Sequence, residues 1–96
     1  MPTGPHLVLL YDYVEDIVER RPAHREAHLA RIGEWVADGR MLTAGALGDP
    51  PAGALFVFPG DDPGAPERYA EGDPYVHAGL VTAHRVLPWT VVAAAG

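Results

Sequence analysis

The pattern of apolar and polar residues along the chain predicts four strands. Residues 6–13 (HLVLLYDY) have a continuously apolar centre, which is typical of a strand buried on both faces. Residues 41–44 and 54–58 are shorter apolar runs, and the Pro/Gly-rich segment 48–53 between them predicts a turn. We therefore expect an antiparallel hairpin at this point. Residues 81–92 form the last predicted strand.

The helical period predicts one clear helix, over residues 24–38. Its apolar stripe consists of Leu29, Ile32 and Val36, with His28 and Trp35 beside the stripe. Pro22 suits the entry of this helix and Gly39 suits its end. Residues 65–71 predict a second, shorter helix. Residues 14–21 are compatible with either a short helical turn or an irregular connection.

The predicted order of elements is β-α-β-β-α-β. This order indicates an α+β, ferredoxin-like protomer with one sheet and two helices on one of its faces. Pro88 lies inside the last strand, and because proline lacks an N–H we expect it at a sheet edge or a bulge. We expect one domain over residues 1–96, with its core at 6–92 and a tail at 93–96. The other face of the sheet needs a cover, which a second copy of the chain would supply.

Composition narrows the classes of function. The net charge is −6 and all seven basic residues are arginine. Their only tight group is Arg20, Arg21 and Arg25, which is too small for a basic face, so we expect no nucleic-acid partner. No apolar run approaches the roughly 18–20 residues of a membrane span, so we expect no membrane partner and a cytoplasmic protein. The absence of cysteine excludes disulfides and thiolate chemistry. The absence of serine and lysine excludes a Ser-His-Asp triad, a Walker motif and a Schiff base.

Acid–base chemistry remains, and the five histidines are its first candidates. His24 and His28 are four residues apart on the predicted helix and therefore share a face. This spacing occurs in zinc sites, but Arg25 lies between the two histidines and no glutamate directly follows His24. We therefore expect no metal and no other cofactor. His28 is either a half-buried residue bonded to a backbone carbonyl or a general acid or base.

Asp73 also has a structural and a chemical interpretation. An aspartate followed by Pro74 is typical of an N-cap before a proline at the first helical position, which predicts a short helical segment over residues 74–79. A carboxylate accepts several hydrogen bonds, so one oxygen can cap the turn while the other accepts an imidazole N–H. Such a bond would fix the orientation of the ring.

Four segments of the chain resemble the YciI-like, or YCII-related, proteins. Residues 25–32 and 38–45 are similar to the family's R-x-x-H-L pattern, followed by a helix, G-x-L and an A-G pair. Residues 73–80 resemble D-P-F/Y-x-x-A-G-L, and residues 86–89 resemble the terminal strand with its trailing Trp. These segments occur in the family's order and at fitting spacing. Ala46 departs from the pattern, because the family often has proline after the A-G pair.

The resemblance implies a homodimeric α/β-barrel of ferredoxin-like protomers whose site contains a His–Asp pair, here His28 and Asp73. Arg25 matches the family's arginine and is expected to hold an anionic group of a small-molecule ligand. Tyr75 and Gly45 lie in the matching segments and are expected to contact the same ligand. Most members have no known reaction, and one relative is a dehydrochlorinase.

These features predict a cofactor-independent lyase or isomerase that acts on a small anionic or aromatic molecule. Two alternatives stay open. The first is a non-catalytic module that binds a small molecule in the same pocket. The second is a structural dimer in which the histidine and the aspartate serve only the fold.

Overall fold

Four strands form one antiparallel sheet in the computed structural model, which describes residues 1–96. The strands are β1 (Gly4–Tyr13), β2 (Thr43–Leu47), β3 (Gly53–Pro59) and β4 (Val81–Val91). Their spatial order is β2-β3-β1-β4, and every neighbouring pair is antiparallel. β1 and β2 therefore run in the same direction with β3 between them, which is the split βαβ arrangement. The predicted α+β, ferredoxin-like fold is confirmed.

Helices form both crossovers of the sheet. They are α1 (Ile17–Arg20), α2 (Pro22–Ala37), α3 (Ala65–Glu71) and α4 (Pro74–His77). α2 begins at a proline, whose fixed φ suits the first helical position. The segment 14–21, which the sequence left open, contains the single turn of α1. None of the helices is long and apolar enough to cross a membrane.

The strand register determines which side chains meet the helices. Leu9 on β1 pairs with Phe56 on β3 and with Val86 on β4. These side chains pack into one cluster with Trp35 of α2 and Tyr69 of α3. Because side chains alternate along a strand, the even-numbered residues of β1 point to the other face. α2 and α3 thus cover one face of the sheet, and the opposite face carries no helix.

The buried face of α2 differs from the predicted stripe. Leu29 and Val36 are 46% and 40% exposed, whereas His28 and Trp35 are buried. Trp35 meets Tyr69 edge-on, with ring centroids 5.3 Å apart. Burial of an indole removes more apolar area from water than burial of a valine, so the helix turns its tryptophan inward. The predicted helical period is correct, but the inward-facing stripe consists of His28, Ile32 and Trp35 rather than Leu29, Ile32 and Val36.

The bounds of β2 also differ from the predicted ones, whereas the position of Pro88 agrees with the prediction. β2 covers 43–47 rather than 41–44, and Met41 is instead buried in the core before the strand begins. Pro88 lies in an edge strand, as the sequence predicts, and β4 runs through this residue without an interruption. The proline is tolerated because β4 is an edge strand and one of its sides has no hydrogen-bonding neighbour. The irregular register lies at residues 12–13 of β1.

Candidate active site

Asp73 lies at the start of α4 and is completely buried, with 0% of its surface exposed. Its backbone is extended, and Pro74 follows at the first helical position. The carboxylate Oδ1 accepts the backbone N–H of Tyr75 over 3.0 Å, which is the capping bond that the Asp-Pro pattern predicts. The predicted role of Asp73 as an N-cap is therefore confirmed.

Two more donors reach the same carboxyl group from distant parts of the chain. His28 on α2 donates its Nδ1–H to Oδ1 of Asp73 over 2.7 Å. The Tyr11 hydroxyl on β1 donates to Oδ2 over 2.7 Å, and both bonds are buried. An ionised carboxylate only accepts hydrogen bonds, so three convergent donors fit its charged form. Capping and orientation of the imidazole thus occur together on one side chain.

Glycines allow the chain to bring these groups together. A Cβ at Gly53 on β3 would lie 2.1 Å from the carbonyl oxygen of Tyr11, so only glycine permits this approach of β3 to β1. Gly72 ends α3, and Asp73 alone separates it from Pro74, which starts α4. The short connection between α3 and α4 fixes the Asp73 carboxylate within hydrogen-bond distance of His28 on α2.

Tyr75 fixes the plane of the imidazole. Its ring is parallel to that of His28 within 3°, with the two centroids 3.6 Å apart. Phe56 meets the imidazole edge-on, with centroids 6.4 Å apart. Because Nδ1 donates to an acceptor-only carboxylate, the neutral ring carries its lone pair on Nε2. Nε2 has no hydrogen-bond partner in the chain and is the nitrogen available to a ligand.

A cavity of about 190 Å³ lies beside His28. Arg21 and Arg25 line it, together with the aromatic rings of Tyr13 and Tyr75. Its apolar lining comes from α2 and from the helix-facing side of β2 and β3, and includes Leu29, Ile32, Ala44 and Phe56. Asp73 is not part of the lining. The Asp73 carboxylate can therefore influence a ligand in this cavity only through the imidazole of His28.

Burial keeps the Tyr11 hydroxyl protonated. Removal from water raises the pKa of Tyr11 far above its usual value, and the negative charge of Asp73 raises it further. Burial and the same carboxylate raise the pKa of Tyr69, whose buried hydroxyl has no hydrogen-bond partner. Tyr11 is therefore a permanent donor to Asp73 at neutral pH.

The two tyrosines that line the cavity are also protonated. Burial raises the pKa of Tyr13, and Arg21 opposes part of this shift. Burial raises the pKa of Tyr75 as well, against the lowering effect of both Arg21 and Arg25. Both guanidinium groups therefore act electrostatically on the Tyr75 hydroxyl beside the cavity. The polar side chains around this cavity are mainly hydrogen-bond donors.

The structure brings together the five site residues named from the sequence. His28 and Asp73 are hydrogen-bonded although 45 positions separate them in the chain. Arg25, Tyr75 and Gly45 line the cavity beside them. The catalytic and substrate-binding roles given to these residues stay predictions.

Sequence reasoning missed Tyr11 and Arg21. Tyr11 is not among the residues that the sequence predicts for the His–Asp site. A signal for it was its position two residues after Leu9, on the helix-facing side of β1. Arg21 was noted only as part of a basic group. Arg21 lies four residues before Arg25, and in the structure it occupies the N-cap position of α2, so the two side chains lie along one helical row.

Three of the other four histidines contact groups away from this site. His6 donates from Nδ1 to the Gly4 carbonyl over 2.8 Å. His77 donates from Nε2 to the Glu71 carbonyl over 2.5 Å, and His84 contacts Glu67 over 3.1 Å. The structure contains no group of three or more His, Asp or Glu side chains with the geometry of a metal site.

This sheet and its two packed helices define an α+β protein of the ferredoxin-like kind with a buried His–Asp pair. A sequence profile described as the YCII-related domain matches residues 6–90. The chain belongs to this family. The resemblance read from the sequence segments is thereby confirmed.

Two curated relatives support this placement, and one solved structure shares the fold. Protein YciI of Escherichia coli O6:H1 is 35% identical over 86 residues, covering 80% of this chain and 88% of the relative. An uncharacterised protein of Haemophilus influenzae is 31% identical over 96 residues, covering 91% and 98%. The 5-chloro-2-hydroxyhydroquinone dehydrochlorinase of Burkholderia phenoliruptrix, in complex with 2,5-dihydroxybenzoquinone, superposes with a TM-score of 0.72. Its coverage is 88% of this chain and 93% of that chain, and at 19% identity the likeness shows the fold.

Substitution of Asp73 separates its capping function from its charge. Asp73→Ala removes three acceptor contacts and leaves the donors of Tyr11 and His28 buried without partners, so we expect a loss of about 3–5 kcal/mol in the free energy of unfolding. Asp73→Asn keeps an amide oxygen for His28 and Tyr75, and its NH₂ can donate to the Tyr11 oxygen. We expect this variant to lose only about 1–2 kcal/mol.

Urea denaturation of the two variants beside the unchanged protein measures both values. Equal losses for the alanine and the asparagine variants would contradict the described network, since only the asparagine can preserve its geometry.

Proposed function

We propose that this chain is a small acid–base enzyme in which His28 moves a proton of a bound small molecule. The observation that carries the proposal is the orientation of one imidazole. Its Nδ1–H is bonded to the buried Asp73, and its Nε2 has no partner in the chain beside a cavity. Histidine is the side chain whose ordinary pKa lies nearest to neutral pH, which suits it to accept and return a proton.

The pair divides the chemical work between its two members. Nε2 of His28 takes a proton from the ligand, and the positive charge that forms on the ring is balanced by Asp73 at 2.7 Å. Asp73 does not itself exchange the proton. It is a positioning residue that fixes the tautomer and stabilises the imidazolium. The proton is then returned at another atom in an isomerisation, or passes to water after a leaving group departs in an elimination.

The structural neighbour supports the elimination or isomerisation class. Its name describes loss of chloride from a hydroxylated aromatic ring, and its structure holds a dihydroxybenzoquinone. A compound of that kind is a single six-membered ring with small polar substituents. A cavity of about 190 Å³ has the volume of roughly six water molecules at ~30 Å³ each, which suits one substituted ring. We therefore propose a small aromatic or anionic substrate for this chain too.

A non-catalytic binding module is the second candidate. It is favoured by Arg21 and Arg25, which line the cavity and would hold an anion without any proton transfer. In this alternative His28 is needed only for its shape and its contact with Tyr75. The two candidate functions differ in one requirement. The enzyme needs the basic Nε2 of His28, whereas the binding module tolerates its replacement by a group that is not a base.

The variant His28→Asn tests the catalytic proposal. Asparagine cannot accept a proton at neutral pH, so we expect a fall in turnover of about 10²–10⁴-fold. The assays are chloride release from 5-chloro-2-hydroxyhydroquinone, the compound in the neighbour's name, and uptake of solvent deuterium by small lactones and aromatic acids.

Circular dichroism checks that the variant is folded. Full turnover by His28→Asn would contradict the proposal. Binding of these compounds by the unchanged protein without chloride release or deuterium uptake would favour the binding module.

We also propose that two copies of the chain pack through the sheet face that lacks helices. Leu87 and Trp89 are 43% and 40% exposed. Because side chains alternate along β4 and Val86 faces the helices, both residues lie on the opposite face of the sheet. Val8, Leu55 and Trp89 line a shallow apolar hollow on this face. Exposed, contiguous apolar surface of this kind is typical of an interface between protein chains.

Light scattering coupled to size-exclusion chromatography measures the assembly. We expect twice the chain mass of 10.3 kDa for the unchanged protein. Trp89→Arg should give the single-chain mass because it places a charge in the apolar face. Val36→Arg on the outer side of α2 is the control and should stay dimeric. A single-chain mass for the unchanged protein would overturn the proposal.

A further inference from the structure

The arginines of this acidic chain differ sharply in whether they have partners. Arg20 lies 3.6 Å from Asp16, and Arg40 lies 2.7 Å from Asp38. Arg68 is paired with Asp62. Arg21, Arg25 and Arg85 form neither an ion pair nor a side-chain hydrogen bond in the structure. Of these three, Arg21 and Arg25 line the cavity beside His28.

A larger concavity near the end of α2 also contains three arginines, but their charges are already satisfied. Arg40 and Arg68 have the carboxylate partners just described. Arg31 donates from Nε and Nη2 to the Tyr69 carbonyl over 3.2 and 3.1 Å. Asp61 also lines this concavity, so its charges balance. The unbalanced positive charge therefore lies at the His28 cavity.

No aspartate or glutamate lines the His28 cavity. Tyr13 and Tyr75 line it together with the two arginines, and neither tyrosine hydroxyl is hydrogen-bonded in the chain. Both tyrosines are protonated for the reasons given above. Asp73 behind His28 offsets one of the two positive charges, and one positive charge remains. A ligand with one negative charge and several acceptor atoms complements these donors.

The lining changes in character along α2. Four cavity-lining residues form a row along this helix and its N-cap, at spacings of three or four residues. Arg21 and Arg25 are one turn apart at the start of the row, and Leu29 and Ile32 follow over the next two turns. A ligand that spans the row therefore meets cations first and apolar side chains afterwards, with His28 between them. Its charged group and its apolar body must occupy different ends of the cavity.

We propose that Arg21 is a ligand-binding residue that forms, with Arg25, a two-guanidinium site for the carboxylate of a compact acid with a single ring. The body of this acid lies against Leu29, Ile32 and Phe56, where His28 can reach it. Arginine suits this task because its planar donors match the two oxygens of a carboxylate. The inference rests on the proposed function for its use in catalysis, but the binding itself requires no turnover.

Benzoate is the probe, and its neutral isostere benzamide is the reference ligand. Titration of each into the ¹⁵N-labelled protein, followed by NMR, gives the affinity and the location of binding. We expect benzoate to shift the signals of residues at the start of α2 and to bind about tenfold more tightly than benzamide. We expect benzoate also to bind more tightly than phenyl phosphate, whose second negative charge exceeds the single net positive charge of the site.

Arg21→Gln should weaken benzoate binding about tenfold and leave benzamide binding unchanged. The variant should fold, because the Arg21 side chain makes no bond in the structure. Arg20→Gln is the matched control, since it makes the same charge change one residue away and Arg20 does not line the cavity. We expect its benzoate affinity to equal that of the unchanged protein.

Equal benzoate affinities for Arg21→Gln and Arg20→Gln would overturn the inference. An absence of benzoate binding by the unchanged protein up to the solubility limit, or tighter binding of phenyl phosphate, would overturn it too. The benzoate titrations require no turnover, and the turnover assay of His28→Asn requires no benzoate. Failure of one result with the other obtained therefore distinguishes a failure of this inference from a failure of the proposed function.

Discussion

One buried carboxylate, that of Asp73, joins three elements that are far apart along the chain. β1 supplies the Tyr11 hydroxyl, α2 supplies the imidazole of His28, and α4 supplies its own backbone N–H at Tyr75. A buried carboxylate without partners costs several kcal/mol of folding free energy. Each of the three donors therefore offsets part of the cost of burying Asp73. The position of α2 on the sheet and the stack of Tyr75 on His28 both depend on this carboxylate.

The same constraint gives the two ring nitrogens of His28 different surroundings. Nδ1 is bonded to a charge that water cannot reach, and Nε2 has no partner beside a cavity lined by donors. A ring held on one nitrogen and stacked on an aromatic face has little freedom to turn. Stability and chemical reactivity therefore have one origin in this protein. A mutation that removes Asp73 affects the fold and the site together.

The sequence predicted the order of elements and the N-cap at Asp73 because both depend on local patterns. Pro74 after the aspartate and the turn residues between β2 and β3 act within a few positions. The meeting of His28 and Asp73 came from the family resemblance, since no local pattern connects residues 45 positions apart. The buried face of α2 was misplaced because its orientation is set by Trp35 packing on α3 and by the bond from His28. Both are contacts between distant segments.

The most direct test of the account is the protonation of the two ring nitrogens of His28. Long-range ¹H–¹⁵N NMR spectra assign the proton to one nitrogen when they are recorded at about pH 9, above the ordinary pKa of histidine. The account predicts a proton on Nδ1, bonded to Asp73, and no proton on Nε2. A proton on Nε2 with a bare Nδ1, or rapid exchange between the two forms, would contradict it.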